Sequence, residues 1–214
     1  LTAERLRMDV TAENLANANT TRGADGGPGF VDVLHAAIGG ELLAVTVRGP
    51  FEAPVPAALL LVGRRAFVES AQACGLALLP LQDHEPVPGS VEDASTFGVG
   101  ELVAEALAAG ATEVVVGLGG TGTNDGGAGM LAALGATSEP AGALTAGVTG
   151  LAQLASVDLG PARDRLTGVD LVAASDVDRA DVVGDETLRR HDMAQRVQRR
   201  VDAGDVGIEL EADA

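Results

Sequence analysis

Residues 113–135 read EVVVGLGGTGTNDGGAGMLAALG: a β-branched run, a loop crowded with glycine, and an alanine-rich helix closed by Gly135. Seven of the fourteen residues from Gly117 to Met130 are glycine, and that much backbone freedom is costly to order. A short buried strand, a tight loop and a helix make up half of a βαβ unit, which commits the chain to a parallel sheet. The neighbouring segments agree. GELVAEALAAG (100–110) puts Leu102, Val103, Ala106 and Leu107 on one helical face, with Gly110 as a stop. VDLVAAS supplies a second buried strand. The expected architecture is α/β: a mainly parallel sheet with strands at 113–118 and 169–174 and flanking helices at 101–109 and 128–134.

Elsewhere the pattern is less regular. ELLAVTVRGP and AALLLVG read as strands around a turn that carries Pro50, Pro54 and Pro56, and RAFVESAQACGLALLP as a strand, a short helix and an apolar exit. Residues 23–30 form a glycine-rich break and 137–150 a small-residue linker. With four Phe and neither Tyr nor Trp, the core must be built from Ala, Val and Leu. Three parts are expected: 1–23, a polar helix and turn; 24–184, the α/β domain; and 185–214. In the last, Met193, Val197 and Val201 share a helical side, and Val206, Ile208 and Leu210 alternate as in a strand.

Charge and composition exclude several chemistries. A net charge of −17 disfavours nucleic acid and anionic membranes, since phosphate-rich partners are held by clustered cations. All fourteen cations are Arg, so a P-loop lysine, a Schiff base and a lysine base are excluded. Cys74 stands in apolar surroundings and reads as a buried structural thiol. His35, His84 and His191 lack ligand spacing. No signal peptide is visible and no run is long enough to span a bilayer, so a cytoplasmic protein is expected.

The glycine loop leaves the carboxyl end of a strand, where open α/β sheets bind ligands. Its backbone N–H groups suit an anion, and Thr121 and Thr123 can donate to phosphate oxygens. Gly119, Gly120, Thr121, Thr123, Asn124, Gly126 and Gly127 are therefore the candidate phosphate- or substrate-binding residues. Asp125 would repel phosphate directly, and so would act through Mg²⁺ or as a proton acceptor. Asp176 and Asp178 follow the second strand, where an Asp-x-Asp serves either a metal or a turn and helix cap. GLGGTG also fits the dinucleotide fingerprint, but TND interrupts it before a helix starts, and no acidic residue follows at the usual spacing of about 20 residues.

At GLGGTGTNDGGAGMLAALGA the sequence closely resembles the signature of the bacterial glycerate kinase family, GxGGSATNDGGxGMxxALG. ASTFGVGELVAEAL, FVESAQACGLALLP, VRGPFEAPVPA and VDLVAASDVD resemble further segments of that family, in its order, over residues 24–178. The resemblance implies ATP-dependent phosphorylation of D-glycerate with Mg²⁺. Asp125 and Asp176 would be catalytic, magnesium would sit on Asp125 or Asp178, and Asp25, Glu69, Ser95, Thr96 and Glu101 would give support. Departures accompany it. Pro28 replaces a carboxylate in ADGGPG, RADVVG follows Asp178 in place of Asn-Pro-Leu, and the family's opening lysine segment and closing T-G-E-G segment have no counterpart here. An impaired or inactive kinase is the corresponding expectation.

LTAERLRMDVTAENLANANTT resembles the N-terminal helix of flagellar basal-body proximal rod proteins, with the likeness running to about residue 28. That resemblance implies a non-catalytic alternative in which residues 1–22 contact the flagellar rod through helix packing.

Overall fold

The computed structural model describes residues 29–83 and 85–174. Its centre is a five-stranded sheet built from β1 (Glu41–Arg48), β2 (Pro54–Val62), β3 (Arg65–Glu69), β6 (Glu113–Gly117) and β9 (Asp170–Ala174), paired in the order β1-β2-β3-β6-β9. β3 pairs in parallel with β6, and β6 with β9. β2 runs antiparallel to both neighbours, so β1, β3, β6 and β9 share one direction and the sheet is mainly parallel.

Side-chain alternation divides the core into two faces. Ala66, Val68, Val114 and Val116 point to a face covered by α4 (Phe97–Ala108) and α5 (Ala128–Ala133), where Val99, Leu102, Val103, Ala106 and Leu134 complete the packing. Phe67 and Val115 point to the other face and meet Val31 and Leu34 of α1 (Phe30–Ile38). The rings of Phe30 and Phe67 meet edge-on, 6.5 Å apart. Two aromatic side chains thus anchor α1, and Ala, Val and Leu fill most of the rest.

Several sequence expectations change in detail. Pro54 and Pro56 belong to β2 rather than to a turn. They share parity with Ala58, whose N–H points away from β1 to Gln72 Oε1 at 2.7 Å. At such positions a missing N–H costs no ladder bond. Helix α4 begins at Phe97, not at residue 101, because Gly98 and Gly100 mark close approach rather than a break. Residues 137–150 are not a linker: β7 (Thr137–Glu139), a 3₁₀ turn (Ala143–Thr145) and α6 (Gly147–Leu151) occupy them, and β7 pairs with β8 (Ser156–Asp158). β9 is not fully buried, with Leu171 37% exposed.

Between β3 and α4 lie α2 (Ser70–Cys74), a 3₁₀ turn (Leu76–Leu78), the short β4–β5 pair (Leu81–Gln82, Glu85–Pro86) and α3 (Ser90–Asp93). α7 (Gly160–Arg165) precedes β9.

The α4–α5 crossing depends on Gly100. A Cβ there would collide with the Met130 carbonyl oxygen and stand 2.6 Å from Ala133 Cβ and 3.0 Å from Met130 Cα. Gly100→Ala is expected to destabilise the fold by about 1–3 kcal/mol, the usual cost of overpacking. Urea unfolding of the variant beside the parent measures it, and an unchanged midpoint would contradict this account of the crossing.

Candidate functional site

The parallel strands β3, β6 and β9 end side by side at Glu69, Gly117 and Ala174, so the glycine loop leaves the carboxyl edge of the sheet. It is fastened in two places. Near its start, Ser70 Oγ donates to Gly117 O at 2.6 Å. Leu76 N donates to Gly120 O at 3.0 Å and Gly122 N to Cys74 O at 2.7 Å, forming a short antiparallel bridge. Near its end, Thr123 Oγ1 donates to Ala94 O at 2.8 Å and accepts from Asp125 N at 3.2 Å.

Asp125 holds this second fastening. It is 1% exposed, and both carboxylate oxygens are engaged. Oδ2 accepts from Thr96 N (2.7 Å), Thr96 Oγ1 (2.8 Å) and Gly129 N (3.1 Å), and Oδ1 accepts from Gly127 N (3.0 Å). In return Thr96 Oγ1 accepts from Met130 N at 3.0 Å. Asp125, just before α5, therefore takes the N–H of Thr96 at the entry to α4 as well as that of Gly129 in α5, and the Thr96 hydroxyl takes the N–H of Met130 in the first turn of α5. Gly126 (φ 61°) and Gly127 (φ 85°) bring Asp125 into this position through left-handed backbone. Gly129 lets the helices meet: a Cβ would collide with Ser95 Oγ and lie 2.6 Å from Phe97 N.

The fastenings leave a free stretch between them. The N–H groups of Gly119, Gly120 and Thr121 find no hydrogen-bond partner among the described residues, and Gly120 is exposed. Asn124 and Gly126 are exposed as well.

The remaining candidates separate. Ser95 is buried beside Thr96, and its Oγ accepts from Phe97 N at 3.2 Å. Glu69 stands at the same sheet edge but is bonded to the start of α1, accepting from Gly29 N at 3.0 Å, Val31 N at 3.5 Å and Gln72 Nε2 at 3.4 Å. Glu101 turns to β1: it pairs with Arg48 Nε at 3.3 Å and accepts from Arg48 N at 2.7 Å. Asp25, Asp176 and Asp178 lie outside the described residues. Sequence reasoning missed Arg48, whose guanidinium lies 4.0 Å from the centre of the Phe97 ring at the start of α4. It also missed Ser70 and Gln72, polar residues inside an apolar stretch whose partners are distant in sequence.

Magnesium does not fit the described residues. No grouping of three or more His, Cys, Asp or Glu side chains that could hold a metal occurs among them. The oxygens of Asp125 and Glu69 already face N–H donors, which a cation would displace. The same residues include no helix long and apolar enough to cross a membrane.

With this geometry in place, comparison with known proteins identifies the lineage. The Glycerate kinase family profile matches residues 3–187. The chain belongs to the glycerate kinase family. It is 41% identical to the glycerate kinase of Bacillus subtilis (strain 168) over 159 residues, which is 72% of this chain and 40% of that protein. It is 37% identical to the glycerate 2-kinase of Escherichia coli (strain K12) over 171 residues, 78% of this chain and 43% of that protein. A crystal structure assigned to glycerate kinase 2 from Salmonella typhimurium LT2 superposes with a TM-score of 0.61 at 31% identity, covering 84% of this chain and 52% of that one. The chain thus spans about two fifths of the length of the curated relatives it matches. The family match is wider than the motifs, which reach from residue 24 to 178, and it includes residues 3–23, the stretch that resembles a rod-protein helix. Those residues lie outside the described ones, and the flagellar resemblance rests on sequence alone.

Two predictions follow from the buried network. Asp125→Asn sets an amide NH₂ among N–H donors and is expected to cost about 2–3 kcal/mol, as for other charge-assisted hydrogen bonds; a denaturant midpoint equal to the parent's would overturn the assigned bonding. Cys74, at the end of α2, is buried and donates to Ser70 O at 3.3 Å. Burial, with a smaller push from the Asp125 charge, raises its thiol from 9.0 to about 12. The folded state keeps this proton where the unfolded state releases it. The associated stability is therefore complete below about pH 9 and declines as pH rises towards 12. Melting the parent and Cys74→Ala between pH 8 and 10.5 should show a steeper alkaline decline in the parent.

Proposed function

We propose that this chain carries the phosphoryl-binding part of a glycerate kinase, which moves the γ-phosphoryl group of ATP to a hydroxyl of D-glycerate. The observation that carries the reading is the free stretch Gly119–Thr121 at the carboxyl edge of the sheet, in a chain of this family. Its N–H groups, without partners among the described residues, and the Thr121 hydroxyl suit the oxygens of a phosphoryl group, which spread negative charge in the transfer. In the reaction the bond from the γ-phosphorus to the β–γ bridging oxygen breaks, a bond to the glycerate oxygen forms, and the hydroxyl proton passes to a carboxylate or to water. The products are ADP and phosphoglycerate.

The carboxylates divide the work. Asp125, enclosed by donors, positions the loop. Asp176 is the candidate proton acceptor, two residues after the end of β9 in sequence. Magnesium, if bound, would supply charge neutralisation for the transferred phosphoryl group, and Asp178 is proposed to hold it, since both Asp125 oxygens already accept hydrogen bonds.

Thermal melts of the chain alone, with Mg·ATP, with D-glycerate and with both test this proposal. A ligand at a hundred times its dissociation constant stabilises the folded state by about 2.7 kcal/mol, so the midpoint should rise clearly with nucleotide and further with both. A cooperative melt that neither ligand shifts at millimolar concentration would refute the reading.

A further inference from the structure

The Thr96 hydroxyl is half of the exchange between the two helices. Thr96 is the residue before α4, yet its side chain does not cap that helix. Its hydroxyl instead donates to Asp125 Oδ2 at 2.8 Å and accepts from Met130 N at 3.0 Å, in the first turn of α5. Its own N–H is given to Asp125 Oδ2 at 2.7 Å. Ser95, one residue earlier, donates its N–H to Pro50 O at 3.0 Å, so this point is tied to the turn after β1. Gly98 seats α4 on the end of β1, where a Cβ would collide with Arg48 O. The segment bearing Thr96 is thereby fixed to the sheet on one side and to the glycine loop on the other.

We propose that Thr96 is a positioning residue for phosphoryl binding: its hydroxyl holds Asp125, and through Asp125 the exposed stretch Gly119–Thr121, in the shape that accepts an anion. The inference rests on the kinase reading above. The restraint passes from Asp125 to the free N–H groups along the chain through Thr123, whose hydroxyl takes the Asp125 N–H, and on to Gly122, which is held separately on Cys74 O. Thr96 touches no substrate in this account. Removing its hydroxyl loosens the loop while the backbone N–H still bonds to Asp125.

The test compares Thr96→Val, which keeps the shape and loses the hydroxyl, with Thr96→Ser, which keeps the hydroxyl. Affinity for Mg·ATP is read by calorimetry, and amide hydrogen exchange over residues 118–127 is read without ligand. The valine variant is expected to bind about tenfold more weakly, in line with the loss of one charge-assisted and one ordinary hydrogen bond. Its loop amides should exchange faster, and serine should restore both readouts. A valine variant that melts lower but binds Mg·ATP as the parent does overturns the proposal, because a merely structural role predicts that result. If the parent itself binds no Mg·ATP, the kinase reading fails. Exchange then decides the positioning role alone: an unchanged loop in the valine variant overturns it, and faster exchange rescued by serine upholds it. If the valine variant does not fold, slower exchange or unaltered affinity in Thr96→Ala would overturn it equally.

Discussion

A carboxylate removed from water must be compensated, and the usual partner is a cation. Asp125 has none among the described residues; the two ion pairs found there, Arg48–Glu101 and Arg65–Glu113, lie elsewhere. Its charge is met instead by three backbone N–H groups and one hydroxyl at the starts of α4 and α5. The N-terminal N–H groups of a helix lack intrahelical partners, and the helix dipole favours negative charge there. One side chain thus solves three problems: its own burial and the open ends of two helices. The condition is that the helix starts come within hydrogen-bond reach, and that condition determines much of the local sequence. It demands glycine at 129 and 100, and it demands left-handed backbone at 126 and 127.

The same solution recurs at the other face of the sheet. Glu69 ends β3 and receives the N–H groups of Gly29 and Val31 at the start of α1. The two acids buried among the described residues, Glu69 and Asp125, have no arginine partner there, although the chain carries 14 arginines. Backbone donors take their place. This has a consequence for the proposed ligands: an acidic protein repels anions at long range, so an anion would have to be held by local donors. Among the described residues, the N–H groups of Gly119, Gly120 and Thr121 are left unclaimed by the acids.

Sequence carried the fold class well, because Val114–Val116 and the helix after the loop have strong, short-range signatures. It failed wherever the decisive partner was distant in the chain. The helical start at Phe97 was hidden by Gly98 and Gly100, whose meaning lies in the atoms of Arg48, Met130 and Ala133. The prolines of β2 looked like a turn because parity relative to β1 is not visible in one segment. The glycine loop itself was legible as a ligand feature only in part. Three of its glycines answer to packing: Gly117 clears the Phe30 ring, Gly122 clears Leu79, and Gly129 clears Ser95. Glycine density there reports close approach within the protein as much as approach to a ligand. For the same reason Asp125 looked like a group aimed at substrate: its partner Thr96 is 29 residues away.

The placement of Arg48 shows how the site edge is tied to the sheet. Its N–H and its guanidinium both engage Glu101, while the planar group also lies over Phe97. Stacking and ion pairing together fix α4 against the end of β1 within its first turn and a half, at the same place where Thr96 grips the glycine loop. A loop proposed to take up a phosphoryl group must hold its donors still, since donors that reorganise during transfer give back the stabilisation they offer. Here rigidity comes from connection rather than from the loop's own composition, which is the least restrained in the chain. The glycines make close contact geometrically available, and the residues around Thr96 and Asp125 remove the freedom those glycines would otherwise bring.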